Sequence, residues 1–270
     1  MVIAAMITTF AVGQLITAIG EPEGYQVALI LAFFIAIGSA FSFSRIQEPP
    51  HTPAPAAQSA YTPSALWHTL KADRNFMAFC AVAMLWNLSI NIAAPFFNVY
   101  LVQDLKATAA FIGVVTILSN LARLPALRLF GKLNDRWGPR KVMLLTGFLI
   151  PFIPFFWVFT NAAWQAMPIN IFGGFFWAGY SLVVFNMLLA LSPAEQRPRY
   201  SALYQISITI AVAAGAALGG FIAGRWGYQT NFLLSAAGRM LASVIFALFV
   251  KETASAAGES TQPSPRTTNE

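Results

Sequence analysis

The chain has 270 residues, 57% of them hydrophobic and 10% charged, with a formal net charge of +6. A water-soluble domain carries about a quarter charged residues to face its solvent, so this composition excludes an ordinary soluble protein. The excess of Lys and Arg does not indicate a nucleic-acid partner either, because those residues sit in short connectors between apolar blocks, the placement that orients a membrane chain.

A bilayer core takes roughly 20 apolar residues of helix to cross, and blocks of that length recur from the start. The first is predicted over 2–19, with no basic residue ahead of it and no cleavage signal behind it, and the second over 25–44. Segment 45–75 follows, with Pro49, Pro50, Pro53, Pro55 and Pro63. Proline removes backbone donors and breaks helices, so this segment reads as a linker, with a short interfacial helix near Ala65–Lys71. Six further spans are predicted over 76–101, 108–130, 141–160, 164–191, 201–224 and 228–250. The tail 251–270 is rich in Ser, Thr, Ala and Pro and reads as disordered. The expected fold is all-α, a polytopic transmembrane bundle of about eight helices. Its parts are a helix pair in 1–44, a central linker, a six-helix unit in 76–250 and a tail. Buried helices of a soluble bundle are the alternative, but Val142–Thr160 and Ile208–Ile222 have no charged residue on any face.

Most cations fall on the linker's side of these spans, Arg123 and Arg128 counted among them, and only Lys106 and Arg225 fall on the other. The linker is therefore expected in the cytoplasm, with both termini, and the chain in the cell membrane. Gly24-Tyr25-Gln26 and Gly227-Tyr228-Gln229 stand at the same end of the second and eighth spans. That offset suggests a six-helix repeat, complete in its second copy and reduced to its last two helices in the first. Four helices would then precede Met1, supplied by a longer form of the chain.

No catalytic group or metal set stands out. The two histidines, His51 and His68, lie in the linker without paired carboxylates, and no Gly-rich phosphate loop ending in Lys-Ser or Lys-Thr is present. Cys80 has no partner cysteine and reads as a packing residue. Neither a cofactor nor a metal is expected, and the reading is not that of an enzyme. No Asp or Glu falls within a span.

The polar residues inside the spans are mostly amides and aromatics. Asn87, Asn91 and Asn98 share one helical face, Asn170, Trp177 and Tyr180 nearly do, and Gln205 stands at the inner end of its span. They either line a substrate cavity or tie helices together by hydrogen bonds. Arg239 reads as the one cation deep in a span, serving an anionic substrate or, more simply, paired or snorkelling.

Between the fourth and fifth spans stands Gly131-Lys132-Leu133-Asn134-Asp135-Arg136-Trp137-Gly138-Pro139-Arg140-Lys141. This segment resembles the signature loop of the major facilitator superfamily, with Gly131, Asp135, Arg136, Gly138, Arg140 and Lys141 at its signature positions. The resemblance covers about 2–250. It implies a solute carrier working by alternating access, with a small-molecule substrate and the lipid bilayer as its partners. It also implies that the loop is a gate joining the second and third helices of a six-helix half. Within the loop, Gly131 and Gly138 would permit tight turns and the cations would meet the inner leaflet and the last carbonyls of the preceding helix. Asp135 would approach the helix start near Arg199–Ala202. Ser192-Pro193-Ala194-Glu195-Gln196-Arg197 is similar to a looser turn of the family, with Pro198 where glycine is common. The six-helix unit could be either half of a facilitator, and the long linker before it favours the second. The competing classes are a membrane enzyme or receptor, a scaffold, and a fragment that does not transport alone.

Overall fold

The computed structural model describes residues 73–193, 196–251, 22–45 and scattered positions between Thr8 and Gly20. Most of the expected first span, most of the linker with its interfacial helix, and all of the tail after Lys251 lie outside the described residues. The chain divides into two units, 1–58 and 59–270.

In the first unit α1 spans Glu23–Ser44. Its apolar residues, among them Leu29, Phe33 and Phe34, are exposed all round, as they would be in lipid. Ser42 and Ser44 return their hydroxyls to the carbonyls of Gly38 and Phe41 (2.9 and 2.7 Å), so neither leaves an unpaired polar group on the helix.

In the second unit α2 spans Arg74–Gln103, α3 Ala109–Trp137, α4 Pro139–Leu149, α5 Phe152–Val158, α6 Ala166–Leu191 and α7 Arg197–Phe249. Two starts are capped by their own sequence. Asp73 accepts from the Phe76 amide at 2.9 Å and Thr108 from the Phe111 amide at 3.2 Å, contacts worth about 0.5–2 kcal/mol each. Among the described residues six helical stretches, α1 among them and α4 with α5 counted as one, are long and apolar enough to cross a membrane. α7 has 53 residues, roughly 80 Å of helix, which exceeds one bilayer core severalfold. It breaks at Gly227, whose φ of 80° lies where residues with a Cβ are strained, so the seventh and eighth expected spans form its two arms. Pro151 divides α4 from α5, and the fifth expected span is these two helices in line.

The arms of α7 pack on α2, α3 packs on α6, and α4 and α5 fill the space behind α6 and α7. The contacts are close where side chains vanish. A Cβ at Gly215 would lie 2.6 Å from the Leu88 carbonyl oxygen, and one at Gly219 would collide with that of Ile92, so these glycines let α7 lie directly on α2. Hydroxyls then bond across the seams: Ser235 Oγ donates to the Ser89 carbonyl (2.5 Å) and Ser243 Oγ to that of Gly147 (2.7 Å). Asn231 spans the two arms of α7, donating to the Gly219 carbonyl at 2.8 Å.

The repeat suggested by the Gly-Tyr-Gln tripeptides does not extend to the backbone. Gly227 is the positive-φ break of α7, whereas Gly24 is helical and the positive-φ residue before α1 is Gly20. The two tripeptides occupy different conformations.

Candidate functional site

The signature segment is less of a loop than expected. α3 continues through Gly131–Trp137 and α4 begins at Pro139, so the connection reduces to Gly138 with φ 80°. Proline fits the next position because its missing amide would be unpaired in a first turn anyway. A Cβ at Gly131 would meet nothing within 4 Å, so within this unit it serves neither a turn nor a close approach.

Of the four signature charges, Arg140 alone is engaged among the described residues. Its Nε donates to the Val250 carbonyl and its Nη2 to that of Ala247, both at 2.9 Å. Those are the last carbonyls of α7, not of the preceding helix. A cation there meets the negative end of the helix as well as its orphaned acceptors. Asn75 joins the same closure, donating Nδ2 to the Lys251 carbonyl (2.7 Å) and accepting from the Lys251 amide (2.8 Å). Asp73 accepts from the Tyr200 hydroxyl at 3.3 Å, and the rings of Tyr200 and Phe76 lie 4.3 Å apart. The starts of α2, α4 and α7 and the end of α7 are thus bound together at one end of the bundle. Asp135, Arg136 and Lys141 are exposed. Asp135 forms no hydrogen bond or ion pair with a described residue. At the α7 start where it was expected, Tyr200 is engaged by Asp73.

The amides differ in level, Asn87 and Asn91 lying near the middle of α2 and Asn170 one turn inside the start of α6. Asn87 and Asn91 are half-buried on α2 and Asn170 on α6. Each returns Nδ2 to the carbonyl one turn back, on Ala83, Asn87 and Ala166, at 2.8 Å. None of the three forms a hydrogen bond to another helix among the described residues, so they are not the interhelical ties that stood as the alternative. Their Oδ1 atoms remain as acceptors. Trp177 is half-buried beside them, its ring 6.3 Å from that of Trp86.

Asn98 and Gln205 are exposed. Tyr180 stands apart from this wall. It is 8% exposed and stacks on Trp86 at 4.9 Å, part of the core behind.

Two arginines in α3 and α7 depart from the sequence reading. Arg239 is 2% exposed, its Nε has no partner, and no carboxylate among the described residues pairs with it. Among the described residues it neither pairs nor reaches a surface where it could snorkel. Arg123, counted above among the cytoplasmic-side cations although it falls inside the expected span 108–130, is the middle residue of the 29-residue α3, so Arg239 is not alone within a span. Arg123 is half-buried and its Nε too is without a partner. The missed signal was length: α3 runs past the expected end at 130, which moves its midpoint onto Arg123.

Residues 81–268 match the sequence model of the Major Facilitator Superfamily. Over 175 residues the chain is 24% identical to an uncharacterised MFS-type transporter of Methanocaldococcus jannaschii. The match takes in 65% of this chain and 45% of that protein, so the chain spans about half the length of the curated relative it matches.

Proposed function

The chain belongs to the Major Facilitator Superfamily, a family of multi-pass membrane transporters, and from that premise we propose that it forms part of a carrier for a small solute. Its six-helix unit acts as one of two halves that rock about a central site in the cell membrane, with the linker and both termini in the cytoplasm. The other half of the site comes from helices outside this unit. Asn87, Asn91, Asn170 and Trp177 form this half's wall of the solute site, joined by Asn98 and Gln205 toward its two ends. The signature segment, with Asp135 free to meet the positive start of a helix, closes the cytoplasmic side.

One observation carries this reading. Asn87 and Asn91 near the middle of α2, and Asn170 in the second turn of α6, each bond only within their own helix, with an acceptor oxygen left over. An amide in lipid is costly, so a face that keeps three of them half-open is a face meant for water and solute.

The test is uptake by proteoliposomes of a broad panel of labelled solutes, using the chain in its longest expressed form. For a transported solute, Asn87→Ala and Trp177→Ala are expected to cut uptake at least about tenfold while the thermal midpoint stays within a few degrees. Asp135→Asn should slow turnover with little change in binding. Full transport by folded Asn87→Ala and Trp177→Ala proteins would remove the wall from the solute path. Uptake of nothing by a well-folded protein would favour a fragment that does not transport alone.

A further inference from the structure

Arg123 has no role in the packing described so far, yet its position is defined. On α3 the buried residues Val115, Ala126 and Phe130 form the stripe facing α6, and the seam is fixed by two contacts. A Cβ at Gly174 would strike the backbone of Ser119, and one at Gly179 would lie 2.5 Å from the Phe130 ring. Arg123 falls between Ser119 and Phe130, level with the middle of α6.

The two flanks of that stripe differ. At 100° per residue Thr116, Asn120 and Arg123 share one flank, and Val114, Ile117, Leu121 and Pro125 share the other. Nearer the end of α3 Leu127 falls on the first flank and Arg128 on the second, but over 114–125 the first flank is polar and suits water while the second is apolar and suits lipid. Asn170, Gly174 and Trp177 share a face of α6. Since α3 and α6 run parallel and wind right-handed, Arg123, one turn beyond Ser119, lies on the same side of the seam as Asn170 and Trp177. The guanidinium therefore belongs to the wall of amides and aromatics already described.

It is also uncompensated. Arg123 forms no ion pair or hydrogen bond with any described residue, and no carboxylate lies within the described spans near it. A charge at that depth is retained only with a partner or in a water-filled cavity, and a half-buried guanidinium offers a planar fork of donors that fits a carboxylate. Arg239 is no rival for this role, because its full burial leaves no approach for a solute.

We propose that Arg123 receives the anionic group of the transported solute, which makes the cargo a small organic anion with a carboxylate the best fit, and Trp177 a surface for its apolar part. This rests on the wall being a solute site.

The experiment compares benzoate with benzamide, which share a ring and differ in charge. Acetate, succinate and inorganic phosphate are included as further anions. The purified whole chain in detergent is titrated with each, following its thermal midpoint by tryptophan fluorescence. Expected is a saturable rise with benzoate or another of the anions and none with benzamide. Arg123→Gln should weaken the anion response at least about tenfold, and Arg123→Lys should keep part of it.

Benzamide acting as well as benzoate overturns the proposal, as does an unchanged anion response in Arg123→Gln. So does a folded wild-type chain that answers none of the anions. If Arg123→Gln does not fold, Arg123→Lys decides, and an unaltered benzoate midpoint there overturns it equally. The wall itself is tested apart from the charge. Loss of both benzoate and benzamide binding in Asn87→Ala would keep the wall and discard the anion. An Arg123-dependent benzoate response untouched by Asn87→Ala and Trp177→Ala would do the reverse.

Discussion

Arg239 sits at the centre of the buried face of the second arm of α7, one turn from Ser235 on one side and Ser243 on the other. Both serines are spent on carbonyls of neighbouring helices, and neither relieves the guanidinium. A charged group at the middle of a span costs at least about 2.5 kcal/mol by insertion scales. Met has similar reach and no charge. Arg239→Met is therefore expected to raise the thermal midpoint of the purified chain by a few degrees, at roughly 2–4 °C per kcal/mol for a chain of this size. A lower midpoint would mean that the arginine has found a partner beyond the described residues. Arg123 differs from Arg239 in access rather than in depth, and that difference alone separates a group available to a solute from one that is not.

At the scale of the helix, the break between α4 and α5 shows how a proline is accommodated in a membrane. Pro151 has no amide hydrogen, so the Gly147 carbonyl four residues back loses its helical donor. Ser243 of α7 supplies one at 2.7 Å. In lipid no water would replace it.

Ser243→Ala should then destabilise the chain by about 1–3 kcal/mol, the cost of a buried unpaired acceptor. In a Pro151→Ala background, where the amide is restored, the same change should cost less than half as much. Thermal midpoints of the four proteins give the cycle, and equal losses in both backgrounds would show that the hydroxyl does not stand in for the proline.

Among the described residues the existence of the spanning elements was legible from apolar block length alone, because lipid imposes one helical solution on such blocks. Element ends were less so. The signature segment reads as a loop because it is rich in charge and glycine. α3 nevertheless continues through it, since nothing before Gly138 forbids helix and the charges point outward. The error carried over to Arg123, whose depth depends on where α3 ends.

Across the whole six-helix unit, the family was legible in the signature segment Gly131–Lys141, and the shared faces of the amides in their spacing, since residues three, four and seven apart share a face whatever the helix packs against. What spacing could not supply was which face lay open. Tyr180 has the right period relative to Trp177 but turns onto Trp86, and its place in the core depends on a neighbour in α2 that no local pattern reveals.

The ties at the end of the bundle were hidden for the same reason. Asn75 and Lys251 lie 176 residues apart in the chain, and Arg140 meets α7 rather than the helix it follows. That asparagine reads peptide groups, not a side chain. Position 251 is therefore free to vary in everything except proline, whose ring removes the hydrogen that Asn75 accepts. Lys251→Ala should melt with the wild type, while Lys251→Pro and Asn75→Ala should each lower the midpoint and, combined, lower it no further. A purification tag or reporter fused after this point leaves the fastening whole, whereas one spliced in before it would unbuckle α7 from α2.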